Sequence, residues 1–275
     1  MSQQQPGVLH VVATPIGNLE DIGARALTVL AAVDAICAED TRHTRKLLQH
    51  VGVERPLLAL HEHNELAQAE GLVARLLGGE SLALVSDAGT PLVSDPGFVL
   101  VRAARAAGVR VSPVPGACAA VAALSVAGIP SDRFCFEGFL PAKESARRAR
   151  LQALAGEPRT LVFYESAHRI EAALADMVAT LGGERPAALA RELTKLFETV
   201  LDGPLAALAA RVAADPDQRR GEFVVVVQGA GEDAAAALAE GRRVYALLAA
   251  HLPPSQAARL AAEITGAPRK GLYGG

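Results

Sequence analysis

The chain has 275 residues, a formal net charge of −3, 51% hydrophobic and 21% charged residues. That is enough for one large domain or two ordinary ones with cores that need neither disulfide nor metal, and too apolar for a disordered chain. The slight negative charge argues against a uniformly basic coat for nucleic acid, and Cys37, Cys118 and Cys135 lack the paired spacing of a disulfide framework or a zinc site.

The opening MSQQQPG has neither the positive start nor the apolar core of a signal peptide. No segment offers the roughly 18 uninterrupted apolar residues of a membrane helix, so a cytoplasmic location away from membranes is expected. Strand-like apolar runs follow at Val8 to Ala13, Ala35 to Ala38, Leu57 to Leu60, Leu82 to Val85 and Val109 to Val114. Helical three- and four-residue spacing separates them, as in Ile22, Ala26, Val29, Leu30 and Val33. Alternating strands and helices predict a largely parallel sheet covered on both faces.

After PVPGACAA the pattern changes. Strand candidates at Phe134 to Gly138, Thr160 to Tyr164, Ala187 to Arg191, Phe197 to Leu201 and Glu222 to Gln228 have fewer helices between them, which predicts hairpins and a mixed or antiparallel sheet. From Asp233 the chain reads as helices, interrupted at Pro253-Pro254 and near Gly266 to Pro268. The expected division is an N-terminal α/β domain over 8–115, a second α/β domain over 116–230 and a helical segment over 231–275.

The loops carry the chemistry. In LVSDAGTPLVSDPG, residues 84–97, Asp87 lies just beyond a strand's carboxyl end, where open α/β sheets bind ligands, and can accept hydrogen bonds from ribose hydroxyls. Gly89 permits close backbone approach, Pro91 and Pro96 hold the loop's shape, and Ser94 or Asp95 can cap a helix beginning near Pro96. As a bare capped turn the same run needs no ligand. TPIGNLEDIG, PVPGACAA and FYESAHR are loops of the same character, and together they suggest one pocket between two domains. TPIGNL has one glycine where a dinucleotide fingerprint has three, and no phosphate-loop pattern occurs, so a nucleoside without phosphates is the expected ligand. His61 and His63 in LHEHNE, on one side of a strand end, lack a third ligand at definite spacing, and no metal is expected.

The motifs VATPIGNLEDI (12–22), AEDTRHT (38–44), LVSDAGTPLVSDPG, PVPGACAAVAAL, SDRFCFEGFLP (131–141), RTLVFYESAHRI (159–170), ARELTKLFE (190–198) and GEFVVVV (221–227) stand in order over residues 8 to 265. Together they resemble the small-subunit ribosomal RNA ribose methyltransferases of the tetrapyrrole methylase fold group. The resemblance implies a two-domain α/β fold of tetrapyrrole methylase type, with a parallel-sheet N-terminal domain, a mixed-sheet second domain and a helical C-terminal segment. It implies a homodimer that uses S-adenosyl-L-methionine to methylate the ribose 2'-hydroxyl of a cytidine in the decoding centre of 16S rRNA. Cofactor contacts are then expected from Pro15, Ile16, Asp87, Gly89, Thr90, Pro91, Val93, Ser94, Cys118, Ala119, Tyr164, Arg191 and Glu222. PGAC stands where the family often has P-G-P-C, a change that preserves the turn. The family pattern also leads one to expect a basic, aromatic terminal helix beyond PRKGLYGG, which this sequence lacks.

Removing the hydroxyl proton during transfer calls for a base. Lys195 in RELTK, flanked by Glu192 and Glu198, is the first candidate, either as base or as a phosphate contact; Glu165 and Asp40 follow. Phe163 and Tyr164 point to opposite sides of a strand, and either can flank a base. Phosphate contacts are expected from Arg42, Arg45, Lys46, Lys143, Arg147, Arg148 and Arg169, bringing 16S rRNA or the small ribosomal subunit to the site. A tetrapyrrole C-methyltransferase of the same fold and a non-catalytic ribosome assembly factor are the alternatives.

Overall fold

The computed structural model describes residues 5–231, 234–267, 269 and 272. Two compact units are formed: Met1–Leu154 with Thr160–Gln228, and Ala155–Arg159 with Gly229–Gly275.

In the first unit, β1 (Val8–Val12), β2 (Ala35–Ala38), β3 (Leu57–Ala59), β4 (Leu82–Val85) and β5 (Arg110–Val114) make a parallel sheet in the order β3-β2-β4-β1-β5. Its strands alternate between two cores. Leu9, Leu82 and Leu84 pack with Leu72 and Leu76 of α3 (Glu65–Leu77) and Leu100 of α4 (Phe98–Ala106). Val12, Ala83 and Val85 face the other way, against Ala26 and Leu30 of α1 (Ala24–Ala32) and Leu48 of α2 (Thr41–His50). Burial on both faces explains why the central strands β2 and β4 read as continuous apolar runs; each fully buried leucine or valine contributes about 1.5–3 kcal/mol. The connection after β1 runs to β2 on one side while that after β4 runs to β5 on the other. The two loops part at the strands' carboxyl ends, which leaves a crevice there.

The second sheet has the order β6-β7-β10-β8-β9, made by β6 (Phe134–Phe139), β7 (Thr160–Ser166), β8 (Pro186–Arg191), β9 (Thr199–Pro204) and β10 (Glu222–Val227). Only β6 and β7 pair in parallel; β7·β10, β10·β8 and β8·β9 are antiparallel, as the short spacing after residue 186 requires. Val162, Ala188, Ala190, Val224 and Val226 share one face with Ala120, Ala123 and Leu124 of α5 (Ala119–Val126). On the other face lie α6 (Glu144–Leu154), α7 (Ile170–Leu181) and α8 (Leu205–Ala214), with Phe163 fully buried. The strands match the sequence reading to within two residues at each end, except that β9 runs three residues further than the Phe197 to Leu201 reading. Two local differences matter below: β7 runs on through Glu165, and α4 starts at Phe98 with Gly97 at its cap, so neither Ser94 nor Asp95 caps it.

The second unit holds α9 (Ala234–Ala249) and α10 (Pro254–Thr265), broken where Pro253-Pro254 predicts. Ala258, Ala261, Ala267 and Leu272 pack with Val244 and Leu248. Gly241 permits this approach, since a Cβ there would lie 2.5 Å from that of Ala267. Most of PRKGLYGG lies outside the described residues. No helix among the described residues is long and apolar enough to cross a membrane.

Candidate active site

A cavity of about 340 Å³ sits at the carboxyl end of the first sheet, walled on its other side by the second sheet. The loops behind β1 and β4 are stitched together at its base: Thr14 and Gly89 exchange backbone hydrogen bonds at 2.9 and 3.1 Å, and the Thr14 hydroxyl donates to the Ser86 carbonyl at 3.3 Å. Gly89 has φ +84°, and a Cβ on it would come within 3.3 Å of the Ile16 side chain. Only glycine gives this backbone turn together with an open cradle. Leu92 and Ser94 also hold positive φ, 72° and 67°, a strain that the surrounding structure must impose.

This first wall is anionic. Asp87 lines the cavity and accepts the Asp40 N–H at 3.0 Å, which ties the loop behind β2 to that behind β4. Glu39 and Asp95 line it too. Burial, then the charge of Asp87, pushes the Glu39 carboxyl up. Asp95 is pushed up to about 6 by burial and then by Glu39, with a Ser86 hydrogen bond opposing. These carboxylates therefore repel one another across a half-buried surface, offset only in part by His61 near Glu39.

The second wall is built of compensated charges. Lys195 Nζ donates to Glu192 at 2.8 Å and Glu222 at 2.7 Å. Burial opposes its charge, but the two carboxylates outweigh burial and raise its pKa. Glu192 also accepts the Glu222 N–H at 2.9 Å. The loop is held tightly: Glu192 and Thr194 have φ of +50° and +68°, and a Cβ on Gly221 would lie 2.4 Å from the Glu192 side chain. Gly17, from the loop behind β1, packs equally closely: a Cβ on it would lie 2.5 Å from Lys195 Cγ. Glu165 is buried; its Oε1 accepts the Ser166 N–H at 2.9 Å and lies 3.3 Å from Arg169 Nε, while Oε2 has no partner. Burial raises its pKa from the ordinary value, with the Ser166 N–H and Arg169 opposing. The Ala120 N–H donates to the Tyr164 phenol oxygen at 3.0 Å, fixing that ring in the wall.

Of the residues expected at the cofactor, Ile16, Asp87, Gly89, Thr90, Val93, Ser94, Cys118, Ala119, Tyr164 and Glu222 line the cavity, as do Lys195 and Glu165. The structure gives others different tasks. Pro15 and Pro91 are buried behind the lining. Arg191 points away: its guanidinium donates to the carbonyls of Arg220 at 2.8 Å and Phe197 at 3.0 Å, clamping the Lys195 loop. Asp40 caps α2 through the Arg42 N–H at 2.8 Å and lies outside the lining, where its neighbour Glu39 stands. Arg147 is buried against Asp176 at 2.6 Å and cannot reach a phosphate. Arg148 is exposed but shares Asp176 and pairs with Glu144, and Arg169 is anchored by Glu165 and the Leu140 carbonyl. By contrast Arg42, Arg45 and Lys46 lie exposed on one face of α2, and Lys143 is exposed ahead of α6.

Sequence reasoning missed Phe139, Ala190, Leu193 and Val224 as lining residues, and read Asp95 as a cap. Strand alternation held part of the signal, since Val224 and Ala190 pair across the sheet on the face that carries Tyr164.

Two layers, a parallel sheet and a mixed one, with a cavity at the parallel strands' carboxyl ends, define an α/β methylase architecture, and the chain belongs to the tetrapyrrole (corrin/porphyrin) methylase family, whose model matches residues 8–209. A model described as the RsmI C-terminal HTH domain matches residues 235–274. The chain is 68% identical over 270 residues to ribosomal RNA small subunit methyltransferase I of Xylella fastidiosa (strain Temecula1), covering 98% of this chain and 99% of the relative. The Pseudomonas aeruginosa protein of the same name is 60% identical over 269 residues, 97% of this chain and 95% of the relative. Among solved structures, the methyltransferase CobJ superposes with a TM-score of 0.60 at 21% identity, over 82% of this chain and 95% of that one. Diphthine synthase does so at 0.58 and 15%, over 81% and 90%. These two likenesses bear on the fold.

Proposed function

We propose that the chain is an S-adenosyl-L-methionine-dependent methyltransferase that methylates the ribose 2'-hydroxyl of a cytidine in the decoding centre of 16S rRNA. The observation that carries this reading is the cavity's charge arrangement: a wall carrying Glu39, Asp87 and Asp95 faces a lysine held on the opposite side. The residues present suit the cofactor. Asp87 stands where ribose hydroxyls are met, Glu39 and Asp95 favour the positive charges of a sulfonium and an ammonium, and Gly89 leaves room against Ile16. When bound, the cofactor supplies the methyl group on a positively charged sulfur.

The chain's own residues then align and deprotonate. Lys195 donates a hydrogen bond to the ribose oxygen and holds it in line. The hydroxyl proton passes to the Lys195–Glu192–Glu222 group, whose members lie within hydrogen-bond reach of one another. Two carboxylates keep Lys195 charged, which favours holding over acting as a free base, and Glu165, with one unpartnered oxygen, is the second candidate for the proton. Phosphate contacts come from Arg42, Arg45, Lys46 and Lys143.

In this reading residues 8–115 and 116–230 act as two domains around the cofactor, 231–275 contributes a helical RNA-binding segment, and the enzyme works as a cytoplasmic homodimer. Mass-spectrometric mapping of ribose methylation in small-subunit rRNA, before and after treating unmethylated small subunits with the protein and cofactor, tests it. One new 2'-O-methylcytidine in the decoding centre is the expected result, and no new ribose methylation overturns the reading.

A further inference from the structure

The edge strand β6 contains an irregularity that delivers an aromatic ring to the cavity. Phe134, Cys135 and Phe136 oppose Thr160, Leu161 and Val162 in regular register, but Gly138 then opposes Phe163 and Phe139 opposes Tyr164, so Glu137 is an extra residue. In a regular strand Phe139 would fall opposite Glu165, on the other face from Tyr164. The bulge moves it onto the face of Tyr164, and bulges near ligand sites commonly re-aim a side chain in this way. Gly138 makes the turn at φ +64°, and a Cβ there would sit 3.0 Å from Ser94 Oγ of the first wall. The end of β6 thus meets the rim where the two walls join.

Phe139 lines the cavity and is nevertheless 54% exposed. Its ring stands edge-to-face on Tyr164, with centroids 5.7 Å apart and planes at 67°. Tyr164 is itself packed by Phe136 at 4.9 Å and fixed by the Ala120 N–H. Phe98, Phe134 and Phe197 are exposed as well, but of these four rings Phe139 alone lines the cavity. A fixed ring open to solvent is a stacking surface. Sequence-tolerant stacking on such rings is how proteins hold bases drawn out of RNA structure.

We propose that Phe139 is the platform on which the target nucleobase stacks, positioning its ribose for Lys195. This inference rests on the methyltransferase reading above. The base enters from solvent and meets the exposed rim, whereas the cationic cofactor belongs against the carboxylates of the first wall.

Phe139→Ala, Phe139→Leu and Phe139→Trp are compared with wild type for KM and kcat on unmethylated small subunits and for S-adenosylmethionine affinity by calorimetry. The alanine and leucine variants should raise KM for subunits by roughly ten- to a hundredfold, the loss expected for one base–aromatic stack. The tryptophan variant should stay within about threefold, and cofactor affinity should hold within about twofold in all three. Exposure of the ring makes large folding losses unexpected, and the leucine variant preserves bulk in any case. A leucine variant equal to wild type would reduce Phe139 to a space-filler and overturn the proposal. So would a loss confined to cofactor affinity, or no change in any variant. A wild-type protein that transfers no methyl group to subunits is a different failure, one that removes the parent reading and this inference with it.

Discussion

On the first wall of the cavity Glu39, Asp87 and Asp95 crowd together without a salt-bridge partner among the described residues, whereas on the second Lys195 is bonded to Glu192 and Glu222, and Glu165 stands beside Arg169. The first wall comes from loops at the carboxyl ends of parallel strands, and its repulsion is relieved when a positive ligand arrives. The second is built on strand ends and one strained loop, and its charges are paired with one another before any ligand binds. One side is arranged to attract and the other to hold a geometry. Substitutions on the two sides should therefore fail differently.

The largest effect is expected at Lys195. Lys195→Met should leave cofactor and subunit binding in place while lowering the single-turnover methylation rate by roughly 10²- to 10⁴-fold. Single-turnover rates at saturating subunits and cofactor are the measurement. A rate within about threefold of wild type would take Lys195 out of the chemistry and leave Glu165, on the same wall, as the group to test.

On the first wall, Asp87→Ala should act on binding. Losing a charged hydrogen-bond acceptor should weaken S-adenosylmethionine by roughly ten- to a hundredfold in calorimetry. Asp87 also holds the Asp40 N–H, so a stability cost of about 1 kcal/mol should accompany it. Unchanged cofactor affinity with that cost alone would leave Asp87 as a tie between loops.

How much of this was legible in the sequence differs between backbone and side chains. Both sheets could be read because apolar period and turn residues act locally, and the cavity's place followed from where strands end. The partners of charged residues could not. RHTRK and KESARRAR look alike as basic runs, yet Arg42, Arg45 and Lys46 share an exposed helix face while Arg147 turns inward to Asp176, 29 positions away. Asp176 lies on α7, and nothing in the local sequence of α6 announces it. Asp95 looked like a cap because it precedes a helix; the positive φ of Ser94 and Gly97 instead delays the helix and leaves the carboxyl facing the cavity. The bulge in β6 was marked only by Gly138.

Those two basic helices give the next expectation. Reversing Arg42, Arg45 and Lys46 to Glu should weaken subunit binding by at least about tenfold and flatten its salt dependence by about 2 in log–log slope, without touching cofactor affinity. Arg147→Ala should instead cost about 3 kcal/mol of stability, since it breaks a buried pair, and a melting curve separates the two outcomes.

The smallest effect is expected at Asp95, and it tests whether the first wall's repulsion is real. Its carboxyl titrates near 6 in the fold against an ordinary value of 3.8, so the folded chain holds the extra proton between those values. Stability from this group is thus full below about pH 3.8 and is lost as pH rises through about 6. Asp95→Asn removes that loss, so the variant should melt a few degrees above wild type at about pH 7.5 and together with it near pH 4. Cofactor binding should move the other way. Above pH 6 the ionised carboxylate favours a cationic ligand, so wild-type affinity should rise a few-fold between about pH 5 and 7, and the asparagine variant should lose that rise. A wild-type affinity flat across this range would mean that Asp95 does not sense the cofactor's charge. A variant no more stable than wild type at pH 7.5 would mean that neither burial nor the charges of Glu39 and Asp87 disfavour the Asp95 carboxylate, and the contrast between the two walls would then rest on Lys195 alone.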